Sequence, residues 1–419
     1  MKKKVSFIFI VALALFLCLP VRGQDSSKWK AIGPYGGSII ALAVNPQNQN
    51  ECFAIGNTSR GYIYWSKNRG GTWRSLYNFP SRVYDIGVDP IDPNHLFVLS
   101  IDSLFTSIDK GKSWSKKPFG YNVDTQNGKI ILNTTDPDKL TVIGKDNTDS
   151  KKLYILNSMD GAESWTRQVI FTAPTSIRGT NIVISPSSPN VIYAMAYFAE
   201  RSSIYYKSRL FKSTDGGKTW GMLPEEVGRA VNTMAIDPFV PEKIYVGTNW
   251  EVLRSSDGGQ TWQDSEDYVY SRSLAIDPAN PDILYSGYEN CCYKSEDGGV
   301  HWEKYHCGEL GSCRDLLTLT SNVLYASDIG IFASQDGGKN WEDSHTGISK
   351  VCIKTVSVTD SFPIKIFALP NDGEILYVSE DLGISWDCSE GLESCGRLNW
   401  IEARPDDPEM VFITTIGGG

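Results

Sequence analysis

Ser213-Thr214-Asp215-Gly216-Gly217-Lys218-Thr219-Trp220 is the clearest of eight copies of one phrase, S-x-D-x-G-x-T-W. The other copies end at Trp73, Trp114, Trp165, Trp262, Trp302, Trp341 and Trp386, so successive tryptophans lie 39 to 55 residues apart. Self-similarity at such a period decides architecture before any local reading does. It also overrides the estimate of two or three domains that 419 residues would otherwise suggest.

The unit around Trp262 shows what repeats. Ala230–Ile236 alternates as a strand and stops at Asp237-Pro238. Lys243–Thr248 and Val252–Ser255 are two further short strands, and the tryptophan after the box opens a fourth. Pro-punctuated turns recur at Asn45-Pro46, Asp89-Pro90, Asp136-Pro137, Ser185-Pro186, Asp277-Pro278 and Asp407-Pro408. Proline ends each inner strand because it cannot donate to a ladder. Short β runs separated by turn residues make an antiparallel meander. The expected fold is therefore all-β: a β-propeller of four-stranded antiparallel blades, about 8 (7–9) of them, with the box between strands 3 and 4.

The box has a turn's chemistry. Its Asp accepts hydrogen bonds from the turn's own amides, its Gly supplies positive φ, and its Trp fills space between sheets. Asp109, Asp160, Asp215, Asp257, Asp297, Asp336 and Asp381 are accordingly read as structural. Asn68, Ala162 and His301 are mild departures from the pattern.

These boxes resemble the Asp-box, or BNR, repeats of sialidases, sortilin-like receptor domains, xyloglucan-cleaving glycosidases and photosystem II assembly-factor-like propellers. The resemblance covers roughly residues 29 to 418. It is specific for fold and unspecific for function, since enzymes and non-enzymes share the repeat. A sialidase-like site would need an arginine triad. Arg60, Arg82, Arg178, Arg229 and Arg314 are available, but no motif in the sequence gathers three of them. The xyloglucan-cleaving resemblance implies an aspartate after strand two in a T-D-x-G-type segment, with a partner from a second propeller. Asp328 in Ser327-Asp328-Ile329-Gly330 and Asp102 in blade two occupy that place.

Both ends bear on closure. Lys2–Lys4 and the apolar run Val5–Leu19 read as an export signal over residues 1–23, leaving 24–419 as the propeller. Ser27–Gly33 looks like a fourth strand and Leu398–Ile416 like two strands of another blade. The last blade is expected to be incomplete or closed by the N-terminal strand. After signal removal no segment could span a bilayer, so the chain is expected in the periplasm, at the cell surface or secreted. Net charge is −9 without basic blocks, which argues against nucleic acid and anionic membranes.

Binding is expected on the face opposite the boxes. Three β2–β3 connections carry Tyr197 and Phe198, Trp250 and Glu251, and Tyr288 and Glu289. Aromatics beside carboxylates suit a glycan or a protein segment. Seven cysteines cluster near the last blades, with Cys307–Cys313 and Cys388–Cys395 as possible disulfides and Cys52 as the outlier. The spacing around His306-Cys307 matches no zinc pattern, so no metal and no cofactor are expected. The sequence favours an exported, monomeric, non-catalytic binding or scaffold propeller. The alternative is a glycoside hydrolase, xyloglucanase-like rather than sialidase-like.

Overall fold

The computed structural model describes residues 38–56, 61–126, 128–199, 206–224, 227, 229–306, 310–319, 323–344 and shorter stretches between 353 and 416. The signal-like segment, Ser27–Gly33 and the box containing Asp381 lie outside these residues.

Residues 36–348 form one compact unit built as a seven-bladed β-propeller. The blades span residues 39–78, 83–118, 123–172, 177–222, 231–264, 273–306 and 313–343, each an antiparallel sheet of consecutive strands. The third carries an extra short strand, Val123–Asp124, paired with Leu140–Asp146. Each inner strand packs beside the next, and Ile39–Val44 packs beside Cys313–Thr318 to close the ring. Closure therefore joins two complete blades within 36–348, and the expected range of seven to nine blades narrows to seven. A second compact unit contains Ser349–Gly419. Its described part is one four-stranded sheet between 353 and 388 and the hairpin of Arg397–Ala403 with Val411–Ile416.

The boxes fold as their composition dictates. Ser213 donates to Asp215 Oδ1 at 2.8 Å and accepts the Gly217 N–H at 2.9 Å. Asp215 Oδ1 accepts the Thr219 N–H at 2.9 Å, and the Thr219 hydroxyl donates to Oδ2 at 2.6 Å. Gly217 sits at φ +84°, which a side chain would strain. The Trp220 indole N–H then donates to the Gly217 carbonyl at 3.0 Å. The departures keep this plan. Asn68 Oδ1 accepts the Thr72 N–H at 2.9 Å, while His301 Nδ1 lies 2.7 Å from Asp297 Oδ2.

Seven apolar clusters fill the seven seams, and each box tryptophan packs toward the preceding blade. Trp165 meets Phe119 edge-on at 5.0 Å, and Trp302 packs with Tyr245, Leu284 and Tyr293. At the closing seam Trp73 departs from the pattern. Its indole N–H donates to the Ser344 carbonyl of blade seven at 2.6 Å, and the Ser344 hydroxyl donates back to the Gly70 carbonyl.

The channel side has its own constraint. An inner strand is a sheet edge with unpaired N–H groups, which cost free energy if buried unsatisfied. In at least five of the seven blades a register shift after the first inner-strand residue marks a bulge. The side chain just past it can reach the neighbouring blade. Asp85 accepts the Ile130 N–H and Asp315 accepts the Leu42 N–H, both at 2.9 Å. Ser273 does the same for Leu316 at 3.1 Å. Lys129 stands 4.0 Å from Asp315, whose charge raises its pKa. Burial pushes Asp85 up to about 6.

Two stability outcomes follow from this arrangement. Trp302→Ala opens a seam and should cost about 3–5 kcal/mol in a urea melt. The hydroxyls of Ser113 and Thr219, then their N–H groups, hold Asp109 and Asp215 at about 2. That lies below the unfolded value of about 3.9, so their contribution is present above that value and lost as pH falls toward 2. Asp85 has the opposite sign: its ionisation opposes folding above about 6, and that penalty disappears as pH falls toward about 4. Asp85→Asn keeps an acceptor for Ile130 and should flatten the stability profile between these two pH values alone.

Candidate binding face

Connections alternate between the two ends of an antiparallel meander, so the β2–β3 and β4–β1 connections share the face opposite the boxes. On blade five the Thr248 hydroxyl oxygen accepts the N–H groups of Trp250 and Glu251, each at 3.1 Å. This tight turn holds Trp250 outward and 54 % exposed. Tyr270, from the connection into blade six, stands 6.0 Å from Trp250 and 5.2 Å from Tyr288, centroid to centroid. Trp250, Tyr270 and Tyr288 thus form a continuous aromatic arc over blades five and six, and Tyr268, two residues before Tyr270, is exposed.

Charge pairs brace the arc. Glu251 is paired with Arg229. Arg272 lies over the Tyr288 ring at 5.2 Å, pairs with Glu289 at 2.9 Å and donates to the Ser312 hydroxyl of blade seven. The Tyr325 hydroxyl donates to the Tyr288 and Gly311 carbonyls, fixing the loop that carries the last ring.

The sequence-derived candidates divide. Trp250, Glu251, Tyr288 and Glu289 come together here. Tyr197 lies on the second strand of blade four, opposite Gly179 of the inner strand, where a Cβ would overlap its ring, and meets Tyr206 edge-on at 5.7 Å. Phe198 is corrected. Strand Ile192–Ala199 runs on through it, so alternation turns its side chain inward, 3 % exposed and 5.7 Å from Phe171. It fills the seam between blades three and four and is no ligand contact.

Asp102 accepts from the Ser103 hydroxyl at 2.9 Å and pairs with Lys116 at 3.4 Å. Asp328 accepts the Ser312 N–H at 2.7 Å, with Arg314 at 3.7 Å. Blade one lies between their blades, and the described hydrogen bonds and ion pairs of the two carboxylates share no partner. The Cys307–Cys313 disulfide is also corrected. Cys313 is a free, fully buried thiol packed against Gly287, Tyr285 and Leu316, with its pKa raised well above the ordinary value by that burial. Cys307 and Cys395 lie outside the described residues, as does the Cys388 side chain.

Sequence reasoning missed Tyr270, Arg272 and the bulges. A signal existed in the bulge residues Ile40, Tyr84, Arg178, Asn232 and Arg314, with Arg272 at the same offset before Ser273. They recur one step after each inner strand begins.

Comparison with known proteins agrees with this architecture. The sortilin family pattern (Sortilin, neurotensin receptor 3) matches residues 102–231. A probable oligoxyloglucan-reducing end-specific xyloglucanase of Neosartorya fischeri is 25 % identical over 211 residues, covering 45 % of this chain and 24 % of that protein. A xyloglucanase of Paenibacillus sp is 23 % identical over 240 residues, covering 55 % and 22 %. The chain thus spans about a quarter of the length of the curated relatives it matches. YCF48 from Cyanidioschyzon merolae aligns with a TM-score of 0.51 at 13 % identity, over 73 % of this chain and 97 % of that one. YCF48 bound to D1 peptide aligns equally well at 16 % identity, over 75 % and 98 %. Box chemistry repeated blade after blade, a sortilin-type match within the ring and these propeller relatives together support an Asp-box β-propeller family for this chain.

Proposed function

We propose that this chain is an exported, non-catalytic binding propeller that takes an extended polysaccharide across the Trp250–Tyr270–Tyr288 arc. The observation that carries this reading is the arc itself. Its three rings follow one another at 5.2–6.0 Å, so they offer one continuous aromatic surface along a sugar chain. Stacking of this kind draws on apolar area and leaves the sugar hydroxyls to Glu251 and Glu289. A rigid ring keeps the loops that carry the rings in place, so little ordering cost falls on binding. The xyloglucanase relatives support a glycan over a peptide, and the basic–apolar start at Lys2–Leu19 supports export.

The xyloglucanase relatives favour a second reading, a glycoside hydrolase with Asp102 and Asp328 as acid and base. Against it, the ring's two candidates are held by Lys116 and Arg314 on blades that are not neighbours, whereas an inverting pair needs about 6.5–9.5 Å between its carboxyls.

Calorimetry with xyloglucan oligosaccharides tests the binding reading. Trp250→Ala should weaken binding about tenfold, in line with about 1–2 kcal/mol for one lost stacking partner. Capture of peptides with no affinity for any glycan would overturn it. A reducing-sugar assay on xyloglucan separates the two readings. No release is expected from the wild type, and release abolished by Asp328→Asn would establish the hydrolase.

A further inference from the structure

We propose that the seam between blades five and six carries a second ligand site, a pocket on the box face that takes a small oxyanion, phosphate or carboxylate, on Arg254 and Tyr245. It lies on the face opposite the aromatic arc and does not depend on the binding reading above.

The pocket has a volume of about 220 Å³ and is lined by Lys243, Tyr245, Arg254, Gln263, Asp282 and Asp297, all within the unbroken described stretch 229–306. Two donors in it are buried without an acceptor. One is the hydroxyl of Tyr245, a residue 0 % exposed, and the other is Nη1 of the partly buried Arg254. Lys243 stands beside the Tyr245 ring, 6.0 Å from its centroid, but an ammonium only donates, so the phenol proton still has no acceptor. Native folds pair their buried polar groups, because an unpaired one costs free energy. A pocket with two such donors on its walls is short of an acceptor.

The preceding seam shows the same parts closed up. Tyr193 is second in its strand of blade four, as Tyr245 is in blade five, and its hydroxyl donates to the Pro241 carbonyl at 3.0 Å. Lys212 precedes its box serine, as Arg254 does, and its Nζ comes within 2.6 Å of where a Cβ on Gly258 would stand. Between blades five and six neither closure is made. Gln263, the register partner of Arg254, accepts from its Nε at 3.2 Å and draws the guanidinium along its own blade. The atoms nearest a Cβ on Gly298 belong instead to Asp282, Lys243 and Tyr245, at 3.4, 3.6 and 3.8 Å.

Charge decides the class of ligand. Lys243 is matched by Asp282 at 3.3 Å and by Asp237 at 3.6 Å. Asp297 is taken up by its own turn, accepting from the Ser295 hydroxyl and from the N–H groups of Val300 and His301. Both carboxylates of the lining therefore already have donors. Arg254 is held by the neutral Gln263 amide, and its buried Nη1 has no acceptor. The missing group is an acceptor that carries negative charge, since bonds from a guanidinium to an anion are the stronger kind. The phenol O–H of Tyr245 supplies the second bond.

Inorganic phosphate and acetate, titrated separately into the full chain and followed by calorimetry, test the site. At least one should bind, and the tighter of the two assigns a tetrahedral or a planar ligand. Arg254→Gln should weaken that binding about tenfold, Arg254→Lys should keep part of it, and Trp250→Ala should leave it unchanged. Asp282→Asn removes the carboxylate nearest Lys243 and should tighten it. Tyr245→Phe gives a second readout, without ligand. It deletes an unpaired hydroxyl and keeps the ring, so the melting temperature of the free chain should hold or rise while anion affinity falls. Binding of neither anion would overturn the proposal. So would affinity unchanged in Arg254→Gln, or a lower melting temperature for Tyr245→Phe.

Discussion

Everything in the ring depends on how a flat, two-edged sheet is held against its neighbour without sharing a strand with it. The Asp box solves this on the outer side. A serine, an aspartate and a small hydroxyl or amide residue satisfy the turn's own N–H groups. The satisfied turn then presents a tryptophan at a fixed angle to the seam. Seven seams repeat that wedge, so closure needs no borrowed strand, and at the seam of the first and seventh blades the Trp73 indole bonds the Ser344 carbonyl in place of its own turn.

The inner side faces the converse difficulty. Strand edges crowd around the channel, and their N–H groups have no ladder partner. Bulges re-aim single side chains, and Asp85, Ser273 and Asp315 cap the next blade's amides. Two carboxylates brought near the channel in this way require a counter-charge, which Lys129 provides. The same bulge leaves the preceding residue outside the ladder, so the residue after it serves stability beside a side chain that the ladder does not hold.

Much of this was legible. Eight boxes gave the all-β class, the four-stranded unit and the roles of Asp109, Asp160 and Asp215, because turn chemistry is local and reads directly from residue type. The placement of Trp250 and Tyr288 on one face was legible as well, since a short β2–β3 connection leaves its residues nowhere to go but the face. Phe198 was misread for a physical reason. The strand in blade four is longer than its counterparts, and a residue taken for loop was the buried half of an alternating pair. Cys313 was misread because nearness in sequence to Cys307 says nothing about which side of a sheet a thiol faces.

What the sequence by itself determined was the unit: its strands, its brace and its wedge. These follow from contacts spanning a few residues, and such contacts are written in the order of the chain. The number of units in the ring, the seam at which it closes and the arc that joins Trp250 to Tyr288 through Tyr270 were decided by tertiary structure. Each depends on which blades become neighbours once the sheets twist and close, and that geometry is a property of the whole ring.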